Sequence, residues 1–238
     1  MLLEICAGSV QSALAAERGG AHRIELCSHL MAGGLTPSAA AVLFAMEQIT
    51  IPLHVLIRPR VGHFVYSTLE IEQMRRDIAF CQSHGVAGVV FGALRADGQL
   101  DEVANRQLIE AAGPMQLTFH RAFDDLDQPH KALESLIRWG FHRVLTSGQA
   151  PTALEGLSLI KNLVKSAEER IIILPGSGLN SKNVREFVKH TQAKEIHASA
   201  KKVLSEPYSN LFQADYYETD AAEVRRLVEV LSTFQASQ

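Results

Sequence analysis

Two short segments near the start of the chain carry the same pattern, Glu4-Ile5-Cys6 and Glu25-Leu26-Cys27. Each closes a run of leucine and β-branched residues, and each is followed by a polar or glycine-bearing loop. In a strand, residues two apart share a face. Glu4 and Cys6 therefore point one way, and so do Glu25 and Cys27. A carboxylate set against an apolar helix layer is strongly destabilised by desolvation, so the pattern predicts a polar pocket at the carboxyl ends of these strands. Two thiols from neighbouring strands offer a two-coordinate site, and soft thiolates favour copper(I). A structural zinc would need about four ligands and would have to recruit His120 or His197. The alternative is two small buried residues filling space, as free cysteines often do.

Other segments bring compatible chemistry. In Ile57-Arg58-Pro59-Arg60 the proline keeps Arg58 extended, so Arg58 and Arg60 share a face. Arg58 is expected either to neutralise Glu4 or Glu25, or to anchor an anionic substrate. In Thr118-Phe119-His120-Arg121-Ala122-Phe123-Asp124, His120 has the place of a general acid/base or ligand, oriented by Asp124 or Asp125; a structural histidine is the competing reading. Gly176-Ser177-Gly178 and His197-Ala198-Ser199 could hold an anion on backbone N–H groups, with Lys201-Lys202 nearby, or could be tight turns. The candidate catalytic set is thus His120, Glu4, Glu25 and Arg58. Arg60, Gly176, Ser177, Gly178 and Ser199 form the candidate anion set, and Cys6 and Cys27 the candidate metal set. Cys81 reads as a core residue, and His22, His84, His130, His142 and His190 as residues of helix ends or surface loops. No strand ends in a lysine placed for Schiff-base chemistry, and there is neither a Gly-x-Ser-x-Gly elbow nor a Walker loop.

The elements that must position these residues follow one another as strand, loop, helix. Strands are predicted over 2–6, 23–27, 53–57, 88–91, 116–119, 143–145, 170–174 and 195–198. Ser9 caps a helix over 10–18, and Pro37 marks the entry to one over 39–48. Ser67-x-x-Glu70 reads as a capping box for a helix ending at His84-Gly85. Further helices are predicted over 101–112, 128–139, 156–167, 183–190 and 220–234, the last after a loop over about 205–219. The strand runs are apolar without clean alternation, as in a parallel sheet covered by helices. Eight such units close most naturally into a single (β/α)8 TIM barrel over residues 1–238, where chemistry gathers at the carboxyl ends of the strands. An open doubly wound sheet would favour a glycine-rich loop after the first strand, and Cys6-Ala7-Gly8-Ser9-Val10 is poor in glycine.

Composition narrows the class. The 238 residues are 47% hydrophobic and 21% charged, with a formal net charge of −3. There is no global basic field, so nucleic acid is not an expected partner. Glu4 stands where a signal peptide would need basic residues, and no run approaches the ~20 apolar residues of a spanning helix. The chain is expected in the cytoplasm and off the membrane. Three cysteines in such a chain argue against a disulfide framework.

Taken together the motifs resemble the CutC family of proposed copper homeostasis proteins. The resemblance rests on Arg23-Ile-Glu-Leu-Cys27-Ser, Gly33-Gly-Leu-Thr-Pro-Ser38, Ile57-Arg-Pro-Arg60 and Phe64-Val-Tyr-Ser67. It continues through Thr118-Phe-His-Arg-Ala-Phe-Asp124, Val144-Leu-Thr-Ser-Gly148 and Glu195-Ile-His-Ala-Ser199. It implies a cytoplasmic barrel, often a homodimer, linked to copper tolerance, with copper(I) held by Cys6 and Cys27. Val61-Gly62-His63 departs from the Gly-Gly-Asp of the family pattern after Arg60, which removes the acid from that loop. The equipment of the mouth exceeds what a copper carrier requires. An enzyme acting on a small anionic metabolite through His120, Glu4, Glu25 and Arg58 is therefore the alternative.

Overall fold

The structure, a computed structural model, describes residues 1–204 and 216–234. Strand and helix alternate as predicted. The first half runs β1 (Leu2–Ala7), α1 (Val10–Arg18), β2 (Arg23–Leu26), α2 (Ala39–Gln48), β3 (Leu53–Leu56), α3 (Thr68–Ser83), β4 (Gly88–Phe91) and α4 (Glu102–Ala112). The second runs β5 (Gln116–Phe119), α5 (Pro129–Arg138), β6 (Arg143–Thr146), α6 (Leu157–Ala167), β7 (Ile172–Pro175), α7 (Val184–Thr191) and β8 (Glu195–Ala198). A hairpin of β9 (Lys201–Leu204) and β10 (Tyr216–Thr219) leads to α8 (Ala221–Ser232).

The helices begin where short polar side chains satisfy the first free N–H groups. Ser9 accepts from Ser12 N, Ser38 from Ala41 N and Asp101 from Ala104 N. Ser67 and Glu70 form the expected capping box. The parallel sheet has the order β7-β6-β5-β4-β3-β2-β1-β8. β1 bonds both β2 and β8, bringing the first and last barrel strands together. β7 and β8 lie side by side without a shared ladder, so the barrel is nearly closed.

Alternation within each strand sorts side chains between two interiors. Leu3, Ile5 and Ala7 of β1 join the apolar layer between sheet and helices, whereas Glu4 and Cys6 face the barrel interior. Both faces are buried, which is why these strands read as runs rather than as polar–apolar alternation.

Several element ends fall one or two residues from expectation, and two differences have a clear physical reason. Arg170, expected to open the seventh strand, is instead an exposed partner of Glu134 and Ser166 O, and the strand begins at Ile172. Of the loop expected over 205–219, the last four residues are β10, paired antiparallel with β9; residues 205–215 lie outside the described ones. The hairpin is largely exposed and carries Lys201 and Lys202, so it offers no apolar period to read.

Candidate functional site

Inward-facing residues stack from the bottom of the barrel to its mouth as a polar column. At the bottom, Arg143 on β6 donates to Glu195 at 2.9 Å and to Gln116 at 3.1 Å. Above it, Arg23 on β2 donates to Glu195 at 2.6 Å and to Glu4 at 2.5 Å. Register makes this possible, since Glu4 pairs with Arg23 across β1–β2 and with His197 across β1–β8. Arg23 is thus the partner of Glu4, in place of the expected Arg58. His197 Nδ1 donates to the second Glu4 oxygen at 2.7 Å. Burial alone would raise the Glu4 pKa, but Arg23, the His197 hydrogen bond and the charges of His197 and His54 hold it far below the carboxylate range. Burial works against the charged form of His197 as well. The hydrogen bond to Glu4 and the charges of Glu25 and Glu4 overcome it and raise the pKa.

The top of the column is the thiol pair. Cys6 Sγ lies 3.7 Å from Cys27 Sγ and donates to Glu25 Oε1 at 3.4 Å. Glu25 Oε2 is buried without a partner. One donor atom each from Cys6, Glu25 and His197 lie within 4.8 Å of one another. Leu56, Val90 and Leu30 pack around the sulfurs. Contact with Cys27, burial and Glu25 push the Cys6 thiol well up, and burial followed by Glu4 raises Glu25. The site therefore has soft sulfur donors and an acid oxygen without a hydrogen-bond partner, with His197 beside them. That donor set fits a soft monovalent metal ion. Cys81 is apart from it, in the core, where burial pushes its thiol up to about 12.

A second cluster faces the same cavity. His120 follows β5, and its Nδ1 accepts from Ala122 N at 3.2 Å, while Nε2 is buried with no partner. Asp124 does not orient it. That carboxylate accepts instead from Thr146 Oγ1 and from the N–H groups of Ser147 and Gln149, and pairs with Arg121, tying together the loops after β5 and β6. Arg58 donates to the carbonyls of Ala32 and Gly34 and to that of Gly62, so it ties the loops after β2 and β3. It is 7% exposed, and none of the ion pairs among the described residues uses it. Arg60 turns away. It pairs with Glu70 at 2.5 Å, donates to the carbonyls of His63 and Val65 and lies over the Tyr66 ring.

The cavity at the mouth measures about 740 Å3. Cys6, Glu25, Arg58 and His120 line it, together with Ser177, Gly178 and Ser199. Glu4 and Cys27 lie one layer behind, and Arg60 lies outside. The Gly176 N–H is committed to Thr146 O, and a Cβ there would lie 2.8 Å from Leu145 Cδ1 and 3.1 Å from His197 Cδ2, so Gly176 allows close packing without lending a donor. Ser177 adopts a left-handed backbone (φ 78°), held by Ala153 N on its carbonyl and by its own hydroxyl on Pro151 O. Arg23, Glu195 and Arg143 were not singled out from sequence. Arg23 could have been, since it stands two residues before Glu25 in the same strand and so shares its face.

Comparison with known proteins bears on what this cavity serves. A model described as "CutC family" matches residues 1–202. A family protein CutC from Xanthomonas axonopodis pv. citri (strain 306) is 48% identical over 237 residues, covering 97% of this chain and 99% of its own length. A copper homeostasis protein cutC homolog from Mus musculus is 48% identical over 200 residues, covering 84% of this chain and 74% of its own. The crystal structure of CutC from Streptococcus agalactiae superposes with a TM-score of 0.79 at 32% identity, over 84% of this chain and 98% of that one. Thiamine phosphate pyrophosphorylase from Pyrococcus furiosus shares the barrel alone, with a TM-score of 0.60 at 16% identity over 98% of this chain and 96% of that one.

Proposed function

The chain belongs to the CutC family, and from that premise we propose that it serves copper homeostasis in the cytoplasm by holding copper(I), as cargo, between Cys6 and Cys27. The observation that carries this reading is the buried pair of sulfurs 3.7 Å apart, beside a Glu25 oxygen that has no partner. One ion can touch both sulfurs, and its positive charge would sit beside the Glu25 oxygen that has no hydrogen-bond partner. His197, held by Glu4 at Nδ1, also lines the cavity, and its other ring nitrogen gives the ion a further donor once its proton has left. Binding must displace thiol protons, because the thiolate is the ligand. The family resemblance adds a homodimer to this proposal; no helix among the described residues is long and apolar enough to cross a membrane.

The test is competition with a copper(I) chelator under reducing conditions. Wild type and Cys81→Ser should take up the ion alike, and the double variant Cys6→Ser/Cys27→Ser should take up none at the same chelator strength. Unchanged stoichiometry in the double variant would end the claim.

A specific observation favours a second reading, an enzyme of small anionic metabolites. Arg58 carries a buried positive charge with no carboxylate against it, and His120 Nε2 is bare on the same cavity wall. A metabolite thermal-shift screen addresses it. A panel of carboxylates and sugar phosphates that leaves the melting temperature unmoved would count against this reading and leave the copper reading standing.

A further inference from the structure

Resting on the second of these readings, we infer that His120 is a fixed hydrogen-bond donor rather than a proton acceptor, and that the cavity takes a small anionic metabolite with a carbonyl, carboxylate or phosphate oxygen set against His120 Nε2–H.

The geometry decides the tautomer. His120 caps a short 3-10 helix over Arg121–Asp125, and its Nδ1 accepts the Ala122 N–H at 3.2 Å. A nitrogen that accepts carries no proton. A neutral imidazole has one N–H, which must then sit on Nε2. That atom is buried, has no partner among the described residues and belongs to a side chain on the cavity wall. The ring is held in place by Phe64, 4.7 Å away between centroids, and by the edge of Phe119. On Phe64 lies the Arg58 guanidinium, 5.0 Å from the ring centroid. Burial first and Arg58 second bring the His120 pKa down to about 3, so the neutral form prevails at working pH.

A donor held this way cannot take a proton from substrate, because its only free nitrogen already carries one. It stabilises negative charge on an oxygen. A buried donor left bare is destabilising, and an oxygen-bearing ligand removes that penalty while placing its charge near Arg58.

Two measurements test this, and they fail separately. In protein labelled with 15N-histidine, long-range 1H–15N spectra should show His120 as the Nε2–H tautomer from about pH 5 to about pH 9. An Nδ1–H tautomer, or titration inside that range, would overturn the donor assignment whatever the ligand. The second is binding to pyruvate, inorganic phosphate and a panel of sugar phosphates and hydroxy acids. Any binder should weaken roughly tenfold or more in His120→Phe, which keeps a ring but no donor, and should be largely retained in His120→Gln. A binder held equally by His120→Phe sinks the inference and spares the metabolite reading. No binder in the panel sinks that reading and the ligand assignment with it. Loss with carboxylates only, or with phosphates only, supports the inference and identifies the oxygen.

Discussion

Glu4 is fully buried, yet it is the point where the column of charges meets the mouth. One oxygen takes Arg23 and the other takes His197. Removing one member of a buried ionic set costs far more than the set contributes net, because the remaining charges lose their compensation. Glu4→Gln leaves Arg23 with Glu195 alone and takes away the charge that holds His197. It should lower unfolding free energy by about 3–5 kcal/mol, read from urea denaturation. Arg60→Ala gives the contrast. Its pair with Glu70 is partly open to solvent, so its loss should fall below about 1 kcal/mol. A comparable effect of the two substitutions would mean that the column is not what sets the interior. Single residues are also where the sequence is least informative. By strand position Arg58 is the expected neutraliser of Glu4 or Glu25. The structure uses its guanidinium to gather three loop carbonyls, a role fixed by loop paths that have no local signature.

Among the elements, the segment after β2 decides who can reach the thiols. Ser28 and Leu35 pair across it, and Gly33 and Gly34 both take positive φ. Gly34 packs directly over Cys27: a Cβ there would lie 2.6 Å from Leu56 Cδ2 and 3.4 Å from Cys27 Cβ, in a backbone conformation (φ +84°) that L side chains rarely adopt. Gly34→Ala should cost about 1–2 kcal/mol and lift the segment off Cys27, so that a thiol reagent labels the native protein faster. Gly85→Ala separates strain from cover. Its φ is also positive (+76°), but nothing lies within 4 Å of the added Cβ. It should destabilise without changing the labelling rate. Equal labelling in all three proteins would show that the segment does not cover the pair. Helices, caps and most strands were legible because their causes are local: Ser9, Ser38 and the Ser67–Glu70 box act within four residues of themselves. The β9–β10 hairpin was not, since its pairing spans 201–219 and its surface is mostly exposed.

At the scale of the whole molecule, the eightfold repeat announced the barrel, while the contacts that fill it bridge residues as far apart as Arg23 and Glu195, 172 positions along the chain. Such pairs follow from closure and register, which a single sequence does not record. Their collective signature is a stability curve with a defined pH optimum. His54 is buried with Nδ1 unbonded, and burial lowers its pKa to about 3 even though Glu4 pulls the other way; His120 is likewise at about 3. Both have an ordinary value of 6.5. Between that value and about 3 the unfolded chain binds two protons that the folded chain refuses, so stability falls as pH falls, by roughly 1 kcal/mol per pH unit for each group. Glu4, held low, adds to the loss once the pH drops below the ordinary carboxylate value of 4.5. His197 acts with the opposite sign: its raised pKa lends stability that is complete below 6.5 and lost as pH rises through the folded value. Glu25, whose raised pKa lends stability that is lost as pH rises above 4.5, opposes the acid-side trend, so urea midpoints measured across the range should pass through a maximum between the two limbs. His54→Leu should make the acid-side slope shallower and leave the alkaline side unchanged. An acid-side slope unchanged in His54→Leu would mean that His54 is charged in the folded barrel, and the same comparison with His120→Phe tests the neutral imidazole on which the donor role of His120 stands.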